Sequence, residues 1–83
     1  MGKKEKLIAR LKSLPSDFTF DEAQNLLELL GFTKSDKGKT SGSRVKFKNG
    51  NIPILLHKPH PRKELKEYQI KYIIEALEKE GLI

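Results

Sequence analysis

The stretch "RVKFKNGNIPILLH", residues 44–57, decides the fold, because its apolar residues recur at every second position on both sides of a turn signal. Such alternation predicts two half-buried β-strands, and Asn49-Gly50 between them predicts a hairpin. The apolar residues expected to face the core are Val45, Phe47, Ile52, Ile54 and Leu56. The residues expected to share the opposite face are Arg44, Lys46, Leu55 and His57.

Pro53 restricts the register of this hairpin, because proline has no N–H to donate to a neighbouring strand. A four-residue turn, 48–51, would place Pro53 opposite Lys46 in a non-hydrogen-bonded pair, with its nitrogen pointing away from the partner strand. Such a proline is tolerated on an edge strand. We therefore expect the third strand at the sheet edge, with Arg44 and His57 roughly diagonal to one another across the hairpin.

The flanking sequence predicts three helices and one further short strand. Thr19 followed by Glu22 forms a capping box before a helix that Gly31 ends. Pro15 is expected to end the first helix, and Gly81 the last. The predicted helices span residues 3–14, 20–30 and about 65–80, and the short strand spans residues 32–37.

This order of elements predicts an α+β fold, a two-layer sandwich in which helices cover one face of a three-stranded antiparallel meander. Residues 1–83 are expected to form a single domain. The uncovered face of the sheet would be basic. The net charge is +6, and between residues 34 and 63 only Asp36 opposes the many Lys and Arg residues. A basic surface of this kind attracts polyanions.

Composition excludes several classes of protein. The chain has no cysteine, which rules out disulfides and thiolate metal sites. No third ligand accompanies His57 and His60 at a convincing spacing, so we expect neither a metal nor another cofactor. No apolar run approaches the roughly 18 residues of a membrane span, and the expected location is the cytoplasm.

Several segments resemble the HicA toxin family, also called YcfA-like. They are "LLELLGF", "GSRVKF" and "ILLHKPHPRKEL", followed by the final helix with its terminal "GLI". The resemblance covers residues 20–83, and residues 1–14 form an added N-terminal helix. It implies a fold similar to the double-stranded-RNA-binding domain, α-β-β-β-α. It also implies a type II toxin–antitoxin toxin: a metal-independent mRNA endoribonuclease that a HicB-like antitoxin neutralises.

One position departs from the family pattern. The family motif is Gly-Ser-His at the start of the second strand, and the resemblance implies that its histidine is catalytic. Here the motif is Gly42-Ser43-Arg44. An arginine does not act as a general base at neutral pH, so the role of the family histidine does not carry over to this position.

The remaining residues suggest a relocated site. Metal-free RNA cleavage needs a proton acceptor, a proton donor and a cation for the phosphorane. Imidazole takes up and releases protons near neutrality, so His57 is the candidate acid or base and His60 the second candidate. Arg44 would bind phosphate and stabilise the transition-state charge. The candidate RNA-binding residues are Lys39, Ser43, Lys46, Lys48, Lys58, Arg62 and Lys63.

Other interpretations of the same residues stay open. His57 could be a strand-end residue that only completes the fold, and lysines on a sheet discourage sheet-to-sheet pairing. Tyr68 and Tyr72 are assigned to packing on the flank of the last helix. The alternative function is a catalytically inactive module of the same fold that binds RNA or a partner protein.

Overall fold

A computed structural model of the chain describes residues 2–35, 44–59 and 62–83. The helices are α1 (Lys3–Lys12), α2 (Phe20–Leu29) and α3 (Glu67–Lys79). The strands are β1 (Thr33–Ser35), β2 (Arg44–Asn49) and β3 (Ile52–His57). They follow one another as α1-α2-β1-β2-β3-α3, which confirms the predicted order.

The three strands form one antiparallel sheet in the order β1-β2-β3, so β3 lies at an edge as the proline argument required. The side-chain parity of β2 and β3 is also confirmed. Phe47, Ile54 and Leu56 are fully buried on the face that the helices cover, and Val45 and Ile52 pack partly buried against them. The fold is therefore the predicted α+β arrangement, with helices on one face of a three-stranded sheet.

The turn of the hairpin is shorter than predicted. Asn49 pairs with Ile52, which leaves a two-residue turn of Gly50 and Asn51 instead of the four-residue turn. Gly50 has a φ of 60°. A glycine with positive φ at the first turn position is the pattern of a type II′ turn, whose twist matches the flanking strands.

The shorter turn shifts the register by two residues. Pro53 faces Lys48, not Lys46 as predicted. A two-residue shift keeps each side chain on its expected face. It also keeps Pro53 in a non-hydrogen-bonded pair with its nitrogen directed outward. The chemical requirement of the proline is thus met, but by a register that the sequence analysis did not choose.

The start of α2 confirms the predicted capping box. The Thr19 Oγ1 accepts a hydrogen bond from the Glu22 backbone N–H at 3.1 Å, and the Glu22 carboxylate accepts from the Thr19 N–H at 3.0 Å. After the helix, Gly31 has a φ of 98°, the left-handed backbone that favours glycine at a helix end. These two signals place α2 within one residue of its predicted bounds.

Helix α1 is hydrogen-bonded to the start of α2. Leu11 is fully buried in the core. The guanidinium of Arg10 donates to both carboxylate oxygens of Glu22, at 2.7 and 3.1 Å, and to Asp17 at 3.2 Å. The hydrogen bond from Arg10 lowers the pKa of Glu22, and the same bond raises that of Arg10. Helix α1 lies outside the predicted α-β-β-β-α unit, but it contributes a side chain to the core of that unit and hydrogen bonds to its first helix.

The segment between β3 and α3 is hydrogen-bonded to the segment at the start of α2. Leu65 donates its N–H to the Phe18 carbonyl at 2.7 Å, Phe20 donates to the Lys63 carbonyl at 2.9 Å, and Thr19 forms a β-bridge with Glu64. Leu65 and Phe18 are both buried. These bonds fix the segment that leads from the end of β3 into α3.

No helix in the described parts of the chain has the length and apolar character needed to cross a membrane.

Candidate functional site

The sheet face opposite the helices carries exposed, mostly basic side chains. We call this surface the open face and define it by the exposed residues of β2 and β3 that point away from the core, namely Arg44, Lys46, Lys48, Pro53, Leu55 and His57. The strands contribute three cations and no carboxylate to it. The face is thus cationic where the structure describes it, and such a surface favours an anionic partner.

Arg44 and His57 lie directly opposite one another on the open face. The predicted diagonal placement of the two residues is wrong, because it follows from the four-residue turn and the observed turn has two residues. Counting from the turn, the pair is non-hydrogen-bonded, a geometry in which the two Cα atoms lie about 4.5 Å apart and the side chains are close. Both side chains project to the same side of the sheet.

The backbone of His57 is held by a residue that the sequence analysis missed. The His57 N–H points outward from the sheet edge and donates to the Gln69 Oε1 at 2.9 Å. Gln69 is 5% exposed and lies on the buried side of α3 next to Ile70. A polar residue beside the apolar stripe of a helix is a signal for such a contact, but the sequence alone does not say which strand it meets.

A second side chain of α3 supports the same edge. The Leu55 N–H donates to the Tyr72 hydroxyl at 3.1 Å. Together with Pro53, which has no N–H, these contacts satisfy the outward-facing donors of β3 without another strand. An edge strand whose outward N–H groups are already hydrogen-bonded has few donors left for a further strand that would extend the sheet.

The other candidate RNA-binding residues divide into two groups. Lys58, Arg62 and Lys63 are exposed in the segment between β3 and α3. Lys39 and Ser43 lie outside the described residues, as does His60, the second candidate proton carrier. The structure thus brings Arg44, Lys46, Lys48 and His57 together on one surface. The three further cations follow the end of β3.

A cleft opens beside His57, where β3 ends. Its lining includes Leu14 and Ser16 from the connection between α1 and α2, and Tyr68 from the start of α3. Tyr68 is 63% exposed. Its assignment to packing was therefore wrong, and an exposed aromatic ring lies beside the candidate proton carrier.

Ion pairs join α1 to α2 and successive turns of α3. Glu67 pairs with Lys71 along α3 at 2.9 Å, and the pKa shifts of Arg10 and Glu22 belong to the junction of α1 with α2. Within the described residues, no three His, Cys, Asp or Glu side chains cluster as metal ligands would. On the open face, the described strands contribute three cations and one imidazole.

A small antiparallel sheet backed by helices, with an uncovered cationic face, defines a class of compact α+β protein suited to an anionic macromolecule. The particular family follows from comparison with known proteins. The family model described as "HicA toxin of bacterial toxin-antitoxin" matches residues 20–79. No curated protein and no solved structure matches the chain. The family match spans most of the chain, so this protein belongs to the HicA toxin family, and the resemblance noted in the sequence is confirmed.

Proposed function

We propose that this protein is the toxin of a toxin–antitoxin pair and cleaves mRNA with its open face. The observation that carries the proposal is the direct pairing of Arg44 with His57 on an exposed cationic surface, in a chain of the HicA toxin family. The guanidinium supplies a planar donor fork for a phosphate. The imidazole supplies the side-chain group that most often serves as a general acid or base.

The proposed reaction is attack of a ribose 2′-oxygen on the neighbouring phosphorus. His57 takes the proton of the 2′-hydroxyl as the new P–O bond forms, and Arg44 stabilises the charge on the phosphorane. The bond from phosphorus to the 5′-oxygen then breaks, and that oxygen takes up a proton. The second proton carrier is His60, or His57 itself in its protonated form. The products are a 2′,3′-cyclic phosphate and a 5′-hydroxyl end, and no metal takes part.

The open face also suits the proposed antitoxin partner. A HicB-like protein that covers Arg44 and His57 would block RNA from the surface and silence the toxin. Because α3 already satisfies the outward donors of β3, the partner would cover the face rather than add a strand at this edge. Carboxylates on the partner would complement the cations of the open face.

One observation favours a second function, a module that binds RNA or a partner without cleaving it. Arg44 stands where the family resemblance implies a catalytic histidine, and its guanidinium does not act as a base. In that case the open face still holds phosphates, but the imidazole of His57 has no chemical role.

Expression in bacterial cells separates the two functions. Induction of the wild-type chain alone should arrest growth and fragment mRNA, and His57→Ala should abolish both effects while remaining folded. Lys34→Ala is the matched control, because Lys34 is exposed on β1 but pairs with Phe47 on the helix-covered side. A folded wild type that leaves growth and mRNA intact would contradict the ribonuclease and leave the binding module.

The purified protein tests the remaining parts of the proposal. RNA cleavage should persist in excess chelator and should stop when a HicB-like antitoxin is added. Lys46→Ala should weaken RNA binding, whereas Lys34→Ala should not, since only Lys46 lies on the open face. Equal losses for the two lysines would mean that RNA binds through net charge and not through this surface.

A further inference from the structure

The cleft beside His57 continues the open face but differs from it in character. We call it the His57 cleft. Besides His57, its lining includes Leu14, Arg62, Glu64, Glu67 and Tyr68. It holds cations and carboxylates together, whereas the strands of the open face contribute cations alone. A phosphate is therefore better accommodated on the open face, and the cleft suits an uncharged group attached to that phosphate.

One wall of the His57 cleft contains a residue in an unfavourable backbone conformation. Leu14 has a φ of 53°, the left-handed region that glycine usually occupies after a helix. Its side chain is nevertheless 38% exposed and lines the cleft. Core packing does not account for a strained, partly exposed leucine. Strained residues of this kind concentrate at functional sites.

The lining of the cleft also includes an exposed aromatic residue, Tyr68. Tyr68 lies in the first turn of α3, directly before Gln69, the residue that holds the His57 N–H. Tyr68 as a residue is 63% exposed to solvent. Every base of a nucleic acid has a π-face that can stack on such a ring.

From this arrangement we infer that the His57 cleft receives one unpaired base of a single-stranded RNA. The base stacks on Tyr68 in the cleft that Leu14 also lines, while the adjoining phosphate lies on Arg44 and His57. The inference rests on the proposed function, since it places the base next to the phosphate that the open face binds. A base inside a duplex is covered by its neighbours and cannot enter, so the substrate is single-stranded.

The connection between α1 and α2 then has a role in the site. Leu14 follows α1 and precedes the residues that match the family model. The segment before the family-like region therefore contributes a lining residue to the base-binding cleft.

A binding experiment with two matched strands tests the inference. The probes are a short labelled single-stranded RNA with 2′-O-methyl riboses, which cannot be cleaved by the 2′-oxygen, and an abasic strand with the same sugar–phosphate backbone. The wild type should bind the base-bearing strand about tenfold more tightly, the effect expected of one stacked base. Tyr68→Ala and Leu14→Gly should each remove most of that preference. Glycine is chosen at position 14 because it keeps the left-handed backbone without strain.

Two control variants and the abasic strand separate the possible outcomes. Tyr68→Phe retains the ring and should retain the preference, and Leu29→Ala, an exposed leucine on α2 away from the cleft, should also retain it. If both strands bind equally and depend on Lys46, the base site is refuted while the proposed RNA-binding face stands. If neither strand binds the wild type, the proposed function fails and the base site fails with it.

Discussion

The hydrogen bond from the His57 N–H to Gln69 offers a sharp test of how the site is held. Gln69→Met replaces the amide with an unbranched apolar group of similar length and removes the acceptor at 2.9 Å. A donor left without its partner costs roughly 1–3 kcal/mol. His57 lies on an exposed edge strand, where water can reach the freed N–H. We therefore expect the free energy of unfolding to fall by about 1 kcal/mol, the low end of that range. This corresponds to a fall in Tm of roughly 5 °C.

Amide hydrogen exchange measures the same change at the residue itself. The His57 amide should exchange faster in Gln69→Met and should be unaffected in Tyr72→Phe. The Leu55 amide should show the reverse, because its acceptor is the Tyr72 hydroxyl. RNA cleavage should fall in Gln69→Met, with the salt dependence of RNA binding unchanged, since no cation is lost. If the His57 amide is equally protected in wild type and Gln69→Met, Gln69 does not hold this strand end and the argument is refuted.

Three further substitutions test the fold and the open face. Thr19→Ala removes the side-chain cap of α2 and should lower the unfolding free energy measured in urea by about 1 kcal/mol; an unchanged midpoint would contradict the cap. The hydrogen bond from Arg10 lowers the pKa of Glu22 below its usual 4.5. The bond therefore stabilises the fold fully above pH 4.5, and this stabilisation is lost as the pH falls through the lowered pKa of Glu22. Glu22→Gln should therefore be less stable than wild type at neutral pH, and the difference should shrink in acid; a constant difference would exclude this linkage. Arg44→Ala should reduce the salt slope of RNA binding by about one charge, and an unchanged slope would remove Arg44 from the phosphate site.

Strand alternation shows how much of this site the sequence could predict. A period of two fixes which face each residue occupies, and the burial of Phe47 and Ile54 confirms it. Alternation does not fix the register, because two pairings that differ by two residues leave every side chain on the same face of the sheet. Pro53 narrowed the choice but did not complete it, since both the four-residue turn and the observed Gly50-Asn51 turn place it in a non-hydrogen-bonded pair.

Contacts that depend on how α3 lies against the sheet were beyond sequence reasoning. The pattern of Ile70, Ile73 and Leu77 predicts a buried helix face, and all three residues are buried. It does not predict that Gln69 meets the backbone of His57 or that Tyr68 stands beside it. Those contacts follow from the position of the helix along the edge strand, and many such positions satisfy the same apolar stripe.

Under the proposed function, direct cross-strand pairing explains how an arginine can occupy the position of a catalytic histidine. Residues 44 and 57 face one another with Cα atoms about 4.5 Å apart, so side chains from either position reach the same phosphate. The resemblance implies an imidazole at position 44, and in this chain the imidazole comes from position 57 and the guanidinium from position 44. The pair then retains one proton carrier and one phosphate-binding cation on the same surface. The diagonal placement expected from the longer turn would separate the two groups further, so it is the observed register that makes the exchange chemically plausible.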